Sequence, residues 1–130
     1  MILSHHYTRI IARDEKAYYE RQLNELLEMA PKIKHSRIYE PRPWTQRKIG
    51  ELKGATTRVV NSLELHLKLT GAPTIGDINS LINGLEGARL LFANMPWREN
   101  EPEKWYAWEK DLDQKVDEFM QRVEDVKAHL

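Results

Sequence analysis

The sequence predicts a single all-α domain. Prolines at positions 31, 41, 43, 73, 96 and 102 disfavour helix interiors and leave four proline-free stretches long enough for helices. Within these stretches, apolar residues recur at three- and four-residue intervals, and no segment alternates apolar and polar residues as a strand would. With 130 residues, 41% of them hydrophobic, the chain is large enough to bury a core in one compact bundle-like or orthogonal domain.

The first predicted helix lies near residues 7–30, where Pro31 is expected to end it. The connector that follows, residues 32–43, contains two further prolines, so we expect an extended strap that lies over the core. The apolar positions of the helix are spaced by four, three and four residues: Tyr19, Leu23, Leu26 and Ala30. Those of the strap are Ile33, Ile38 and Tyr39.

The second predicted helix lies near residues 45–70. Thr45 is a candidate N-cap, and Gly71 is a natural stop at the C-terminal end. The stripe that would face the core consists of Ile49, Leu52, Thr56, Val59, Leu63, Leu67 and Thr70.

The third and fourth predicted helices lie near residues 77–95 and 103–130. Asn83-Gly84 could split the third helix, and Leu85 and Leu90 beside its glycines favour packing over ligand binding. The fourth helix has the most regular stripe, with Leu112, Val116, Phe119, Val123, Val126 and Leu130. Such a seam can pack against a partner chain as well as within the domain, so it also raises self-association as an interpretation.

The formal net charge of zero conceals two segments of opposite charge. Residues 31–58 contain eight basic groups against Glu40 and Glu51, a net charge of +6. Residues 99–130 contain five basic and ten acidic groups, a net charge of −5. Either the two segments face each other and cancel, or they face different partners.

Several classes of protein are disfavoured by the composition. Without cysteine there is no disulfide, thiolate zinc site or iron–sulfur cluster. No apolar run approaches a membrane span and no secretory signal is visible, so we expect a cytoplasmic protein that does not contact membranes. No nucleophile elbow or phosphate-binding loop occurs either, which predicts a nonenzymatic protein with no cofactor and no small-molecule substrate.

A metal site is also not expected. Glu109, Asp113 and Asp117 share one helix face, but no Glu-x-x-His element accompanies them. The five histidines show no H-x-x-x-H spacing. We therefore interpret the three carboxylates as a solvated acidic face.

One segment carries a functional signature. Residues 45–64 read TQRKIGELKGATTRVVNSLE, with Ile49 beside Gly50 and a second glycine, Gly54, where a tight turn would stand. This pattern resembles the general helix-turn-helix motif of DNA-binding regulators, although Lys53 stands where that motif has an apolar residue. The same residues are also compatible with one unbroken amphipathic helix from residue 45 to residue 70, and this second interpretation is the favoured one.

The resemblance implies two sets of nucleic-acid-binding residues. Arg and Asn can read base edges, Thr hydroxyls can reach phosphates, and flanking cations attract the backbone without regard to sequence. The exposed face of the recognition helix would present Thr56, Thr57, Arg58 and Asn61. The flanking cations would be Arg42, Arg47, Lys48 and Lys53.

Tryptophans near the start of the fourth helix form a second candidate surface. Trp97, Trp105 and Trp108 lie within twelve residues, and the glutamates around them would repel a phosphate backbone. A core cap or a protein contact is therefore the favoured interpretation.

Two functional hypotheses follow. The first is a small nucleic-acid-binding or regulatory protein that acts through its basic segment, residues 42–61. The alternative is a protein-interaction module, such as an adaptor, an inhibitor or a subunit of a larger assembly, that docks through the Trp97–Trp108 patch or the C-terminal helix.

Overall fold

A computed structural model describes residues 13–70, 75–93 and 101–130 and confirms the all-α prediction. Over those ranges it contains no strand. A short 3-10 helix, Pro102–Lys104, precedes the last helix. The α-helices in chain order are α1 (Arg13–Tyr39), α2 (Arg42–Thr70), α3 (Ile75–Leu90) and α4 (Trp105–Ala128).

The helices form an up-and-down four-helix bundle. Each packs on the next in chain order, and α4 packs back on α1. The hydroxyl of Tyr19 donates a hydrogen bond of 3.0 Å to the carbonyl of Ser62, which joins the start of α1 to the end of α2. At the other end, the hydroxyls of Ser36 and Thr45 lie 3.3 Å apart. Helices α1 and α2 are therefore antiparallel, as their short connection favours.

Wherever their side chains are described, the residues of the predicted apolar stripes on α2 and α4 pack in or against the core. On α4, the side chains of Leu112, Val116, Phe119 and Val123 have no solvent exposure. The ring of Phe119 packs against that of Phe92, with 5.6 Å between centroids. The seam of α4 is therefore used inside the domain, and this face is not available to a partner while the bundle is intact.

The predicted extended strap after Pro31 is wrong, because α1 continues through this proline to Tyr39. Pro31 is exposed, so its ring points away from the core. Beyond it, Ile33 and Ser36 continue the buried face of the helix. Burial of this face offsets the lost backbone hydrogen bond and the ring clash, which together cost about 3 kcal/mol in a helix interior.

Helix α2 begins before the predicted N-cap. The backbone N–H of Trp44 donates to the carbonyl of Pro41 at 2.9 Å, and Thr45 lies inside the helix with its side chain buried. The helix then continues without a break through Gly50 and Gly54. Residues 45–64 therefore form part of one continuous helix, and no turn divides them into two shorter helices.

Helices α3 and α4 approach each other closely. Helix α3 is not split at Asn83-Gly84, and its last turn leads into residues 91–93. A Cβ atom on Gly84 would stand 2.8 Å from Cγ2 of Val126, and one on Gly87 would stand 3.0 Å from Nη1 of Arg122. A larger residue at position 84 would therefore push against α4, whereas at position 87 the flexible side chain of Arg122 could move aside. Residues 94 and 95 of the predicted helix lie outside the described residues.

Candidate functional site

The two charged segments face each other across the seam between the α1–α2 corner and α4. Asp113 receives two hydrogen bonds from Arg37, one from Nε at 2.9 Å and one from Nη2 at 2.7 Å. Glu109 lies 3.4 Å from Arg37 and 3.6 Å from Arg42. One turn further along α4, Asp117 pairs with Lys34 at 2.6 Å. We call this set of six residues the charge ladder.

The charge ladder accounts for half of the basic excess. Three cations of the +6 segment face three carboxylates of the −5 segment, so net charges of +3 and −2 remain. The predicted solvated acidic face on α4 is therefore wrong for Glu109 and Asp113, whose side chains are mostly buried in ion pairs between helices. Within the described ranges, no group of three His, Asp or Glu residues is arranged to hold a metal ion.

The predicted recognition residues do not share one exposed face. Thr56 is fully buried, and its hydroxyl donates to the carbonyl of Leu52 at 2.8 Å. This contradicts the exposure predicted for Thr56, because in a continuous helix the residue belongs to the core stripe. The hydroxyl of Thr57 similarly donates to the carbonyl of Lys53 at 3.0 Å. Arg58 and Asn61 are exposed.

The predicted flanking cations are engaged in different ways. The guanidinium of Arg42 stacks on the ring of Trp105, 3.7 Å from its centroid. Arg47 stacks on Trp44 at 4.4 Å. Lys48 pairs with Glu51 of the next turn at 3.9 Å. Lys53 is half-buried. The cations thus follow α2 without converging on one point.

Arg58 and Asn61 instead border a groove between α1 and α2. The groove has a volume of about 360 Å³, and α1 contributes Tyr18, Gln22 and Glu25 to its opposite wall. Sequence reasoning missed these residues because they lie far from α2 in the chain, and only the antiparallel packing brings them together.

Two of the three candidate tryptophans lie within the described residues, and both are partly buried. Trp108 is partly buried against the core, and Trp105 is half-buried beneath Arg42. Trp97 lies outside the described residues. Among the described aromatics of this segment, Tyr106 alone is a large exposed hydrophobic residue.

Four large hydrophobic residues, Tyr106 among them, are exposed at the end of the bundle where α1 ends and α2 and α4 begin. They belong to the last turn of α1 and the first turns of α2 and α4, which the contacts of Ser36 with Thr45 and of Arg37 with Glu109 hold together. We call them the end surface: Ile38 (58% exposed), Tyr39 (72%), Trp44 (45%) and Tyr106 (78%). The sequence contains a signal for this surface, namely the aromatic residues that flank Pro41 and Pro43. The predicted extended strap lay over the core and therefore gave no reason to expect their exposure.

Comparison with known proteins adds no family to these observations. No protein-family model, curated protein or solved structure matches the chain. In the part of the chain that is described, no helix has the length and apolar character needed to cross a bilayer.

Proposed function

We propose that this protein is a noncatalytic helical interaction module whose protein partner docks on the end surface. The observation that carries the proposal is the exposure of Ile38, Tyr39, Trp44 and Tyr106 at one end of the bundle. Large exposed apolar residues that cluster are typical of interaction sites. Tyr and Trp in particular combine a large contact area with few rotatable bonds, and they are enriched among residues that dominate binding energy.

The base of the end surface supports a docking role. Arg42 bridges α2 to α4 through Trp105 and Glu109, and Arg37 bridges α1 to α4 through Asp113. These contacts hold the three helix ends that carry the exposed rings. A surface fixed before binding loses less conformational entropy when a partner docks. We infer a cytoplasmic adaptor, inhibitor or assembly subunit.

Site-specific photo-crosslinking in the cell that makes the protein tests this proposal. A photoreactive amino acid replaces Tyr39 or Tyr106 in two separate variants, and Leu65 in a matched control. Leu65 is also an exposed hydrophobic residue, at 57%, but it lies toward the opposite end of α2. We expect the same crosslinked partner from both end-surface positions and none from position 65. Equal crosslinking at all three positions, or none at any, would contradict the proposal.

A second candidate function rests on the positive charge of α2 that lies outside the charge ladder. Lys53 and Arg58 form no ion pair with any described carboxylate, and Arg47 and Lys48 lie on the same helix. We infer that this side of α2 can attract a nucleic-acid backbone without reading its sequence.

Fluorescence anisotropy with labelled duplex and single-stranded DNA, across a salt series, tests the second candidate. With four cations involved, the logarithm of the affinity should fall with the logarithm of salt concentration by a slope of no more than about 4. Replacing Lys53 and Arg58 with Gln should weaken binding to all sequences and lower this slope. Absence of binding at low salt would eliminate the candidate.

A further inference from the structure

The groove between α1 and α2 has features of a ligand site that are independent of the end surface. Its volume of about 360 Å³ falls in the range of small-ligand sites, roughly 300–1,000 Å³. Its polar lining residues include Tyr18, Gln22 and Glu25 on one helix and Arg58 and Asn61 on the other, and Leu26, Ala55 and Val59 contribute apolar surface.

Two opposite charges border this groove without pairing. Glu25 belongs to α1 and Arg58 to α2, and no ion pair within 4.0 Å joins either one to a described residue. The guanidinium of Arg58 is directed along α2, with Nη1 3.6 Å from the position that a Cβ of Gly54 would occupy. Each wall therefore offers a charge to a ligand.

The uncharged groups between them suit a peptide backbone. The carboxamides of Gln22 and Asn61 each donate and accept hydrogen bonds, as does the hydroxyl of Tyr18. An extended peptide presents backbone N–H and C=O groups, to which carboxamides and a hydroxyl can donate and from which they can accept hydrogen bonds. A nucleotide phosphate could bind Arg58, but Glu25 borders the same groove and would repel it.

We propose that this groove binds an extended peptide segment that carries one acidic and one basic side chain. The acidic side chain pairs with Arg58, and the basic side chain pairs with Glu25. The carboxamides of Gln22 and Asn61 bind the backbone between them. This site is separate from the end surface, so either can be correct without the other.

The experiment is an NMR titration of the full chain labelled with ¹⁵N. The probe is the blocked peptide acetyl-Glu-Gly-Arg-amide, and the side-chain NH₂ signals of Gln22 and Asn61 report on the groove directly. We expect saturable shifts of both signals. The matched neutral peptide acetyl-Gln-Gly-Gln-amide should bind at least about tenfold more weakly, because it lacks both charged contacts.

Charge-reversal variants test the assignment of the two walls. Arg58→Glu should abolish saturable binding, whereas Arg47→Glu, the same change on the same helix outside the groove, should leave it intact. The double variant Glu25→Arg/Arg58→Glu exchanges the charges and should bind the probe again. Circular dichroism melts establish that each variant folds.

Three results would overturn the proposal. One is the absence of saturable shifts in the wild-type chain. Another is equal affinity for the charged and neutral peptides. The third is saturation of the same two signals by adenosine monophosphate at lower concentrations than by the peptide, which would assign the groove to a nucleotide.

Discussion

Arg37 and Asp113 form a two-point ion pair that joins the end of α1 to the start of α4. Nε of Arg37 donates to Oδ1 of Asp113 at 2.9 Å, and Nη2 donates to Oδ2 at 2.7 Å. The planar guanidinium matches the carboxylate at both oxygens, a geometry that an ammonium group cannot reproduce. A second pair of complementary charges, Lys34 and Asp117, lies one turn away along the same seam.

Separating Arg37 from Asp113 should cost more than separating an ordinary surface pair. A double-mutant cycle with Arg37→Ala and Asp113→Ala should give a coupling free energy of about 1 kcal/mol. The reason is partial burial, since the two side chains are only 22% and 31% exposed. Urea denaturation followed by circular dichroism measures the four unfolding free energies.

The matched control is the pair of Arg122 and Glu118 on α4. Their atoms are 2.9 Å apart, but their side chains are 44% and 51% exposed, and both lie on the same helix. Here the coupling should be below about 0.5 kcal/mol. Equal coupling in the two cycles would contradict the view that the charge ladder contributes more than surface ion pairs.

Much of the fold could be predicted from spacing, because a buried helix face requires apolar residues every three or four positions. The stripes of α2 and α4 are read in this way. The end of α1 could not be predicted, because the sequence shows the free-energy cost of Pro31 in a helix but not the tertiary packing that offsets it. The burial that offsets this cost, at Ile33 and Ser36, depends on a neighbouring helix.

The candidate surfaces were less predictable for a related reason. The opposite charges of Lys34 and Asp117 are visible in the sequence, but their pairing depends on α4 returning beside α1. Glu25 and Arg58 border one groove only because α1 and α2 are antiparallel. Tyr39 and Trp44 were recognisable as aromatic residues, whereas their exposure follows from the helical path through Pro31.

Gly84 should be intolerant of even a methyl group. A Cβ there would stand 2.8 Å from Cγ2 of Val126, so Gly84→Ala should lower the free energy of unfolding by about 1–3 kcal/mol through overpacking. Gly50→Ala is the matched control, because no atom lies within 4 Å of the added Cβ. That substitution should raise stability by about 0.5–1 kcal/mol. Stabilisation by both substitutions in urea denaturation would contradict the close approach of α3 and α4.

Gly54→Ala distinguishes the continuous helix from a helix-turn-helix. In a continuous α2 the new Cβ meets Nη1 of Arg58 at 3.6 Å, an ordinary contact. Alanine should therefore raise the melting temperature and stabilise the chain by about 0.5–1 kcal/mol. At a tight turn with positive φ, the same change would introduce strain and destabilise it. A lower melting temperature for Gly54→Ala than for the wild type would favour the turn.

Pro31→Ala should stabilise the protein, because α1 tolerates this proline at a cost. Proline removes the N–H that would bond the carbonyl of Leu27, and its ring crowds that carbonyl. We expect a gain of about 1–3 kcal/mol in unfolding free energy, after allowance for the extra freedom that alanine gives the unfolded chain. Pro43→Ala is the control, since Pro43 lies in the first turn of α2, where no intrahelical bond is lost. Urea denaturation should therefore show a marked gain at position 31 and little change at position 43. Equal, small effects at both positions would indicate that the chain leaves the helix at Pro31, as the sequence alone predicts.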